Sequence, residues 1–251
     1  MTKTDQYIEK LNSLPDKKDY LLQASGLPGP RGNLELAAAM AKTGCLEEFL
    51  DYIRYTQEQA PVNSPYEFLV FCGVLGLGRL AAEGAREYLP VLRSFANDPR
   101  WRTREAVAMG LQLIGDSDMD FLLSEMQAWC RGSAFEQRAV AAGLCEPRLL
   151  KNPEHCREVL AILDRITASI LQQPDRKREG FLALKKGLGY CWSVATATLP
   201  AEGTVIMEKW LSSDDQDIRW IMRENLKKNR LIRVAPEWVK QYTECLQKHT
   251  E

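Results

Sequence analysis

Histidine is scarce in this chain: there are two, His155 and His249, in 251 residues. That rules against catalytic schemes that need a histidine base beside a nucleophile, and no nucleophile elbow, HExxH or kinase signature is present. No CxxC occurs among the seven cysteines, and their odd number does not suit a disulfide framework. Cys130, Cys145, His155 and Cys156 match no metal-knuckle spacing. Neither a metal nor a cofactor is therefore expected. No apolar run reads as approaching the ~18 residues of a membrane span. The N-terminal MTKTDQYIEKLNSLPDKKD is polar, without the apolar core of a signal peptide. The expectation is a cytoplasmic, monomeric protein with no membrane contact.

What the chain does have is repetition. Gly-Leu recurs in apolar helical stretches at Gly76-Leu77, Gly110-Leu111, Gly143-Leu144 and Gly187-Leu188, spaced 34, 33 and 44 residues apart. Asn225-Leu226 follows 38 residues later. A period in this range indicates one helical hairpin used repeatedly, so the predicted fold is an all-α, armadillo-like α-solenoid forming a single domain over residues 1–251. Six hairpins are expected: Asp5–Gly44, Cys45–Leu80, Gly84–Ile114, Asp116–Cys145, Asn152–Thr198 and Ala201–Asn229. A capping helix follows at about Pro236–His249. Asp98, Ser133, Asp175 and Ser213 or Asp214 are placed to accept hydrogen bonds at the starts of second helices, and Pro99 suits a first helical position. The helical glycines, each costing up to ~1 kcal/mol against alanine, are expected where helices approach closely.

Charge is sorted by helix although the chain nets only −1. Three of the first helices are acidic: Cys45–Gln59 and Asp116–Arg131 net −3 each, and Ala201–Asp217 nets −4. Three of the second helices are basic: Pro99–Ile114 nets +2, Pro174–Trp192 nets +3 and Ile218–Arg233 nets +5. Stacked hairpins put second helices on one surface, usually the concave one, so base would line the inside of the curve. A basic groove can track phosphates. The alternative is that basic residues late in a helix serve the dipole and are solvated. That account covers Lys227 and Lys228, but not Arg176 to Arg178 at a helix start. Arg104, Arg138, Arg178 and Arg219 each follow a turn, 34, 40 and 41 residues apart, so each has a structural role open to it as a bond to the preceding turn.

The general pattern resembles HEAT repeats, and three stretches resemble the bacterial DNA alkylation-repair HEAT family, whose characterised members are DNA glycosylases. IRWIMRENLKKN, residues 218–229, is similar to that family's W-x-x-R-E-x-x-K-x-N helix through Trp220, Arg223, Glu224, Lys227 and Asn229. EQRAVAAGL, residues 136–144, is similar to its Q-R-A-A helix, in which the arginine faces phosphate; here that is Arg138. DPRWRTREAV, residues 98–107, looks like its W-x-x-x-D pair through Trp101 and Glu105, with Glu in place of Asp.

The resemblance implies an aromatic surface and a carboxylate beside a scissile glycosidic bond, which Trp101 and Glu105 would supply from one helix face. It implies nucleic-acid binding, DNA before RNA, through Arg138, Arg178, Arg219, Trp220, Arg223 and Lys227. Whether the chain is an enzyme stays open. The rival expectation is a protein–protein scaffold whose partner brings acidic segments to the same basic face. One further segment, LPGPRGN at residues 27–33, is an unusually elaborate turn: a plain inter-helix connection, or a stiff loop presenting Arg31 to an anion.

Overall fold

The computed structural model describes residues 1–248. Among these residues there are no strands, and the fold class is all-α: helical hairpins repeated in tandem, in the manner of an α-solenoid. The chain divides into two compact units, the first Met1–Asp118 and the second beginning at Met119.

The first unit contains α1 (Lys3–Asn12), α2 (Lys18–Ala24), α3 (Leu34–Thr43), α4 (Leu46–Tyr52), α5 (Pro65–Ala82), α6 (Leu89–Phe95) and α7 (Trp101–Ser117). Its first repeat has three helices where a hairpin is expected, because Pro15, in the break after α1, lacks the N–H that would continue a helix. Helices α3, α5 and α7 pack in succession. Helix α5 is the centre: Ser64 caps it by accepting from Glu67 N, and every residue from Glu67 to Gly78 is buried. Its 18 residues are long and apolar enough to cross a membrane, a correction to the expectation that no run approaches that length. Its apolar surface is covered by neighbouring helices, as in a buried core helix.

The second unit contains α8 (Met119–Trp129), α9 (Ala134–Leu144), α10 (Pro153–Ser169), α11 (Glu179–Thr198), α12 (Pro200–Leu211), α13 (Gln216–Leu226), α14 (Asn229–Val234) and α15 (Pro236–Lys248). Helices α8, α10 and α12 form one row and α9, α11 and α13 another. The terminal helix is α15; His249 lies outside the described residues. Ser133 caps α9 as expected, its hydroxyl accepting from Glu136 N while Ser133 N donates to Glu136 Oε2. The other turn acceptors act earlier than expected. Asp98 and Asp175 accept from the amides of Arg100 and Lys177, ahead of the helices. Asp215, not Ser213 or Asp214, caps α13. Pro99 stands two residues before α7 rather than at its first position.

All five repeat leucines, Leu77, Leu111, Leu144, Leu188 and Leu226, are buried on second helices. The glycines beside them differ. A Cβ on Gly76 would lie 2.3 Å from the Phe49 ring, whereas one on Gly187 would meet only the Arg138 stem, at 3.5 Å. At the fifth position Asn225 is fully buried between α13 and α11. Its Oδ1 accepts from Ser193 N at 2.7 Å, and its Nδ2 donates to Leu188 O and Ile221 O at 2.8 Å each.

Candidate functional site

The α11–α13 face of the second unit holds most of the predicted binding residues. Asp215 caps α13, and its apolar side, Ile218, Ile221, Met222 and Leu226, is buried. The 3.6-residue turn leaves Arg219, Trp220, Arg223 and Lys227 on the outward arc. Between α11 and α13 lies an open groove of about 630 Å³ lined by Leu182, Lys185, Lys186, Gly189, Tyr190, Trp220, Glu224 and Lys228. Gly189 belongs there because the Trp220 indole lies against it: a Cβ would come within 3.1 Å of the ring.

Both aromatic rings carry cations. Lys185 Nζ is 4.8 Å from the Trp220 centroid. The Arg230 guanidinium is 4.3 Å from the Tyr190 centroid and donates to its hydroxyl, with Lys228 Nζ 5.9 Å from the same ring. Tyr190 remains 45% exposed, so much of its surface is open to a ligand.

Part of the positive charge of this face is engaged internally. Arg176 Nη1 contacts Asp215 Oδ2 at 2.7 Å and Asp217 Oδ2 at 2.9 Å, while Nη2 donates to Ile170 O. Lys185 donates to Asp217 Oδ1 at 2.7 Å. Burial pushes the Asp217 carboxyl up, but the hydrogen bonds from Lys185 and Arg176 outweigh it and hold Asp217 below the usual carboxylate range. Arg176, at the helix start where the dipole disfavours it, is therefore a bracket between the preceding turn and α13. The acidic start of α13 is what compensates it.

The predicted residues separate into groups. Trp220 lines the groove, and Lys227 pairs with Glu224, a groove residue. Arg223 is exposed on the same helix. Arg178 is exposed and donates through Nε to Asp175 Oδ2 in its own turn. Arg138 is half-buried on α9, its stem beside Gly187. Arg219 lines a different pocket, with Leu211 to Asp214, Tyr242 and Cys245. Among the four spaced arginines, Arg104 is a turn bracket: it is buried and donates to Asp98 O at 2.7 Å and Pro99 O at 3.1 Å. Sequence reasoning missed Lys186, Tyr190 and Lys228. Leu182, Lys186 and Tyr190 follow one another at i, i+4 along α11, and that spacing is the signal that marks a shared exposed row.

Trp101 and Glu105 lie in the first unit, one turn apart on α7, and do share a face: both line a cavity of about 250 Å³. Its other walls come from the residue 27–33 turn and from α5. Arg102, between them in sequence, is buried. Its Nη1 contacts Glu67 Oε2 at 3.2 Å, its Nη2 donates to Gly29 O at 2.8 Å, and its guanidinium stacks 4.4 Å from the Trp101 centroid. The site offers a carboxylate and an indole beside an apolar hollow, in a different compact unit from the predicted phosphate-binding residues.

Cysteine chemistry contributes little to either place. Burial pushes the Cys156 thiol up to about 11 and the Cys145 thiol well above its ordinary value, which keeps both protonated and unreactive at neutral pH. His155 Nε2 and Asp120 Oδ1 are 2.9 Å apart.

No family model and no curated protein matches the chain. Among solved structures, an engineered protein matches over 94% of this chain and 100% of its own length, at 12% identity and a TM-score of 0.37. A likeness of that degree carries no argument about fold or function.

Proposed function

We propose that this chain is a helical-repeat binding protein whose α11–α13 face takes nucleic acid, DNA before RNA. The observation that supports this reading is the interleaving of ring and cation in one groove: Trp220 beside Lys185, and Tyr190 beside Arg230 and Lys228. Aromatic faces offer stacking to bases, and the flanking Lys186, Arg223 and Lys227 offer ion contacts to phosphates. Trp101 and Glu105 have no part in this reading, and no reaction is assigned to them.

Binding to a fluorescent oligonucleotide at ~50 mM salt tests it. Affinity is expected to fall linearly with salt on logarithmic axes. In the Lys186→Ala, Arg223→Ala, Lys228→Ala triple variant the slope should drop by about 0.7 to 0.9 per lost phosphate contact. An unchanged slope, or no binding at that salt, overturns the proposal.

A protein partner with acidic segments is the second reading. It is favoured by the exposed apolar row: Leu182 and Tyr190 stand about half exposed on either side of Lys186. A partner recovered from nuclease-treated lysate by the wild-type chain, and lost with the triple variant, would support that reading over the first.

A further inference from the structure

The cavity beside Trp101 is built by the segment that is hardest to account for as a plain connection. Leu27, Pro30 and Gly32 of the turn form one wall, Phe68 and Phe71 of α5 another, and Trp101 with Met109 of α7 a third. None of these walls needs a ligand to hold its position. Gly29 N donates to Asn63 Oδ1 at 3.0 Å, Gly29 O accepts from Arg102 Nη2, and Asn33 N donates to Ser25 O at 2.8 Å. Gly26 supplies the positive φ of +74° that starts the turn, a conformation costly for other residues. The turn is thus tied to the ends of α2, α5 and α7, with its apolar residues facing the hollow.

A packed interior leaves few voids larger than a water molecule, and empty apolar volume costs stability in proportion to its size. The hollow beside Trp101 is not such a void: it is about 250 Å³ and open on the side where Pro30, Arg31 and Trp101 are exposed, so a ligand can reach its apolar floor. An apolar cavity of roughly 150 Å³ accommodates benzene, so this one has room for a second fused ring. Its lining also selects on charge. The Arg102 cation is balanced from behind by Glu67, and Arg31 and Glu105 both line the hollow, so its lining carries charge of both signs. The rest of the lining is apolar, so a charged ligand would lose hydration against it that an uncharged one does not need.

We propose that this cavity is a preformed binding site for an uncharged aromatic molecule of one or two fused rings. The ring body lies among Leu27, Phe68, Phe71 and Met109, with its edge toward Trp101 and Glu105. Preorganisation favours this, since little of the wall has to be ordered on binding. The inference is independent of the nucleic-acid reading, which concerns the other unit.

Indole is the probe, titrated into the full chain by calorimetry and by NMR of methyl-labelled methionine. The expected result is one-to-one saturation below about 1 mM with a shift of the Met109 methyl signal. Gly32→Leu extends a side chain toward Phe68, because a Cβ at Gly32 lies 3.6 Å from that ring in ordinary contact and the backbone there has no positive φ. Met109→Trp fills the same space from α7. Each variant should weaken indole at least about tenfold while oligonucleotide binding stays unchanged. If one fails to fold by circular dichroism, the other decides. Indole-3-acetate and tryptamine are expected to bind at least about tenfold more weakly than indole. Absence of saturation, indole affinity unchanged in a folded filling variant, or a charged analogue binding as well as indole would each overturn the proposal.

Discussion

Gly78 and Gly110 meet backbone to backbone where α5 packs on α7: a Cβ built on Gly78 falls 2.4 Å from Gly110 Cα. No side chain fits there without moving one helix, so this contact sets the separation of the two central helices of the first unit. Gly78→Ala should therefore destabilise the protein by at least about 2 kcal/mol, in the range of overpacking, read as a lower midpoint in urea.

Gly187→Ala should do the opposite. Gly187 belongs to the same Gly-Leu repeat as Gly110, but its added Cβ would meet only the flexible Arg138 stem, at 3.5 Å. Relief of the helical glycine penalty then stabilises the second unit by up to ~1 kcal/mol. Urea denaturation of the pair of variants checks the sign of each; a loss of stability at Gly187 would contradict the assigned packing.

Asn225→Ala should cost about 2–4 kcal/mol. It removes the donor and the acceptor that reach the α11 backbone at Leu188 O and Ser193 N, both inside the unit. Hydrogen exchange should show Ser193 N losing protection while amides of the first unit keep theirs.

Glu67 and Arg102 form a buried pair, with Glu67 fully buried and Arg102 nearly so. Removing one partner strands the other's charge, so Glu67→Ala and Arg102→Ala should each cost about 3–5 kcal/mol. The double variant Glu67→Leu with Arg102→Met should cost clearly less than the sum of the two single losses. A double-mutant cycle from denaturation curves measures the difference.

Asp217 carries a pH dependence. Its folded pKa is depressed, so the unfolded state binds the proton more readily and the stability this group contributes is present above the unfolded value near 3.9. That contribution is lost as pH falls through the folded value. Stability of the Asp217→Asn variant should be lower than wild type at neutral pH and should decline less steeply below about pH 4.

Much of the fold was legible because the repeat is a local pattern. Gly-Leu or Asn-Leu marks the second helix of five of the six expected hairpins, and Ser133 caps α9 through a short-range bond that the chain's own spacing announces. The division at Asp118 was not legible: the repeat runs on both sides of it, so the period alone marks no boundary there. The long apolar helix α5 is a related case. Its length and apolarity are sequence properties, while its role as a core helix depends on what surrounds it.

The candidate sites divide in the same way. Trp220 and Lys227 could be named through the resemblance of residues 218–229 to a known helix motif. Their setting could not, because Lys185, Tyr190, Lys228 and Arg230 join them only through the packing of α11 and α14 near α13. Arg176 shows the limit most directly. Its charge at a helix start suggested a ligand contact, yet Asp215 and Asp217, 39 and 41 residues on, neutralise it.

By itself, then, the sequence determined the helical class, the repeat and the helices that collect positive charge, because periodicity, caps and composition act over a few residues. Only the tertiary structure decided which cations remain outward, which glycines separate helices, and that the residue 27–33 turn walls a cavity with Trp101. Those outcomes depend on groups distant in the chain meeting at a few ångströms, where burial and pairing set their energies.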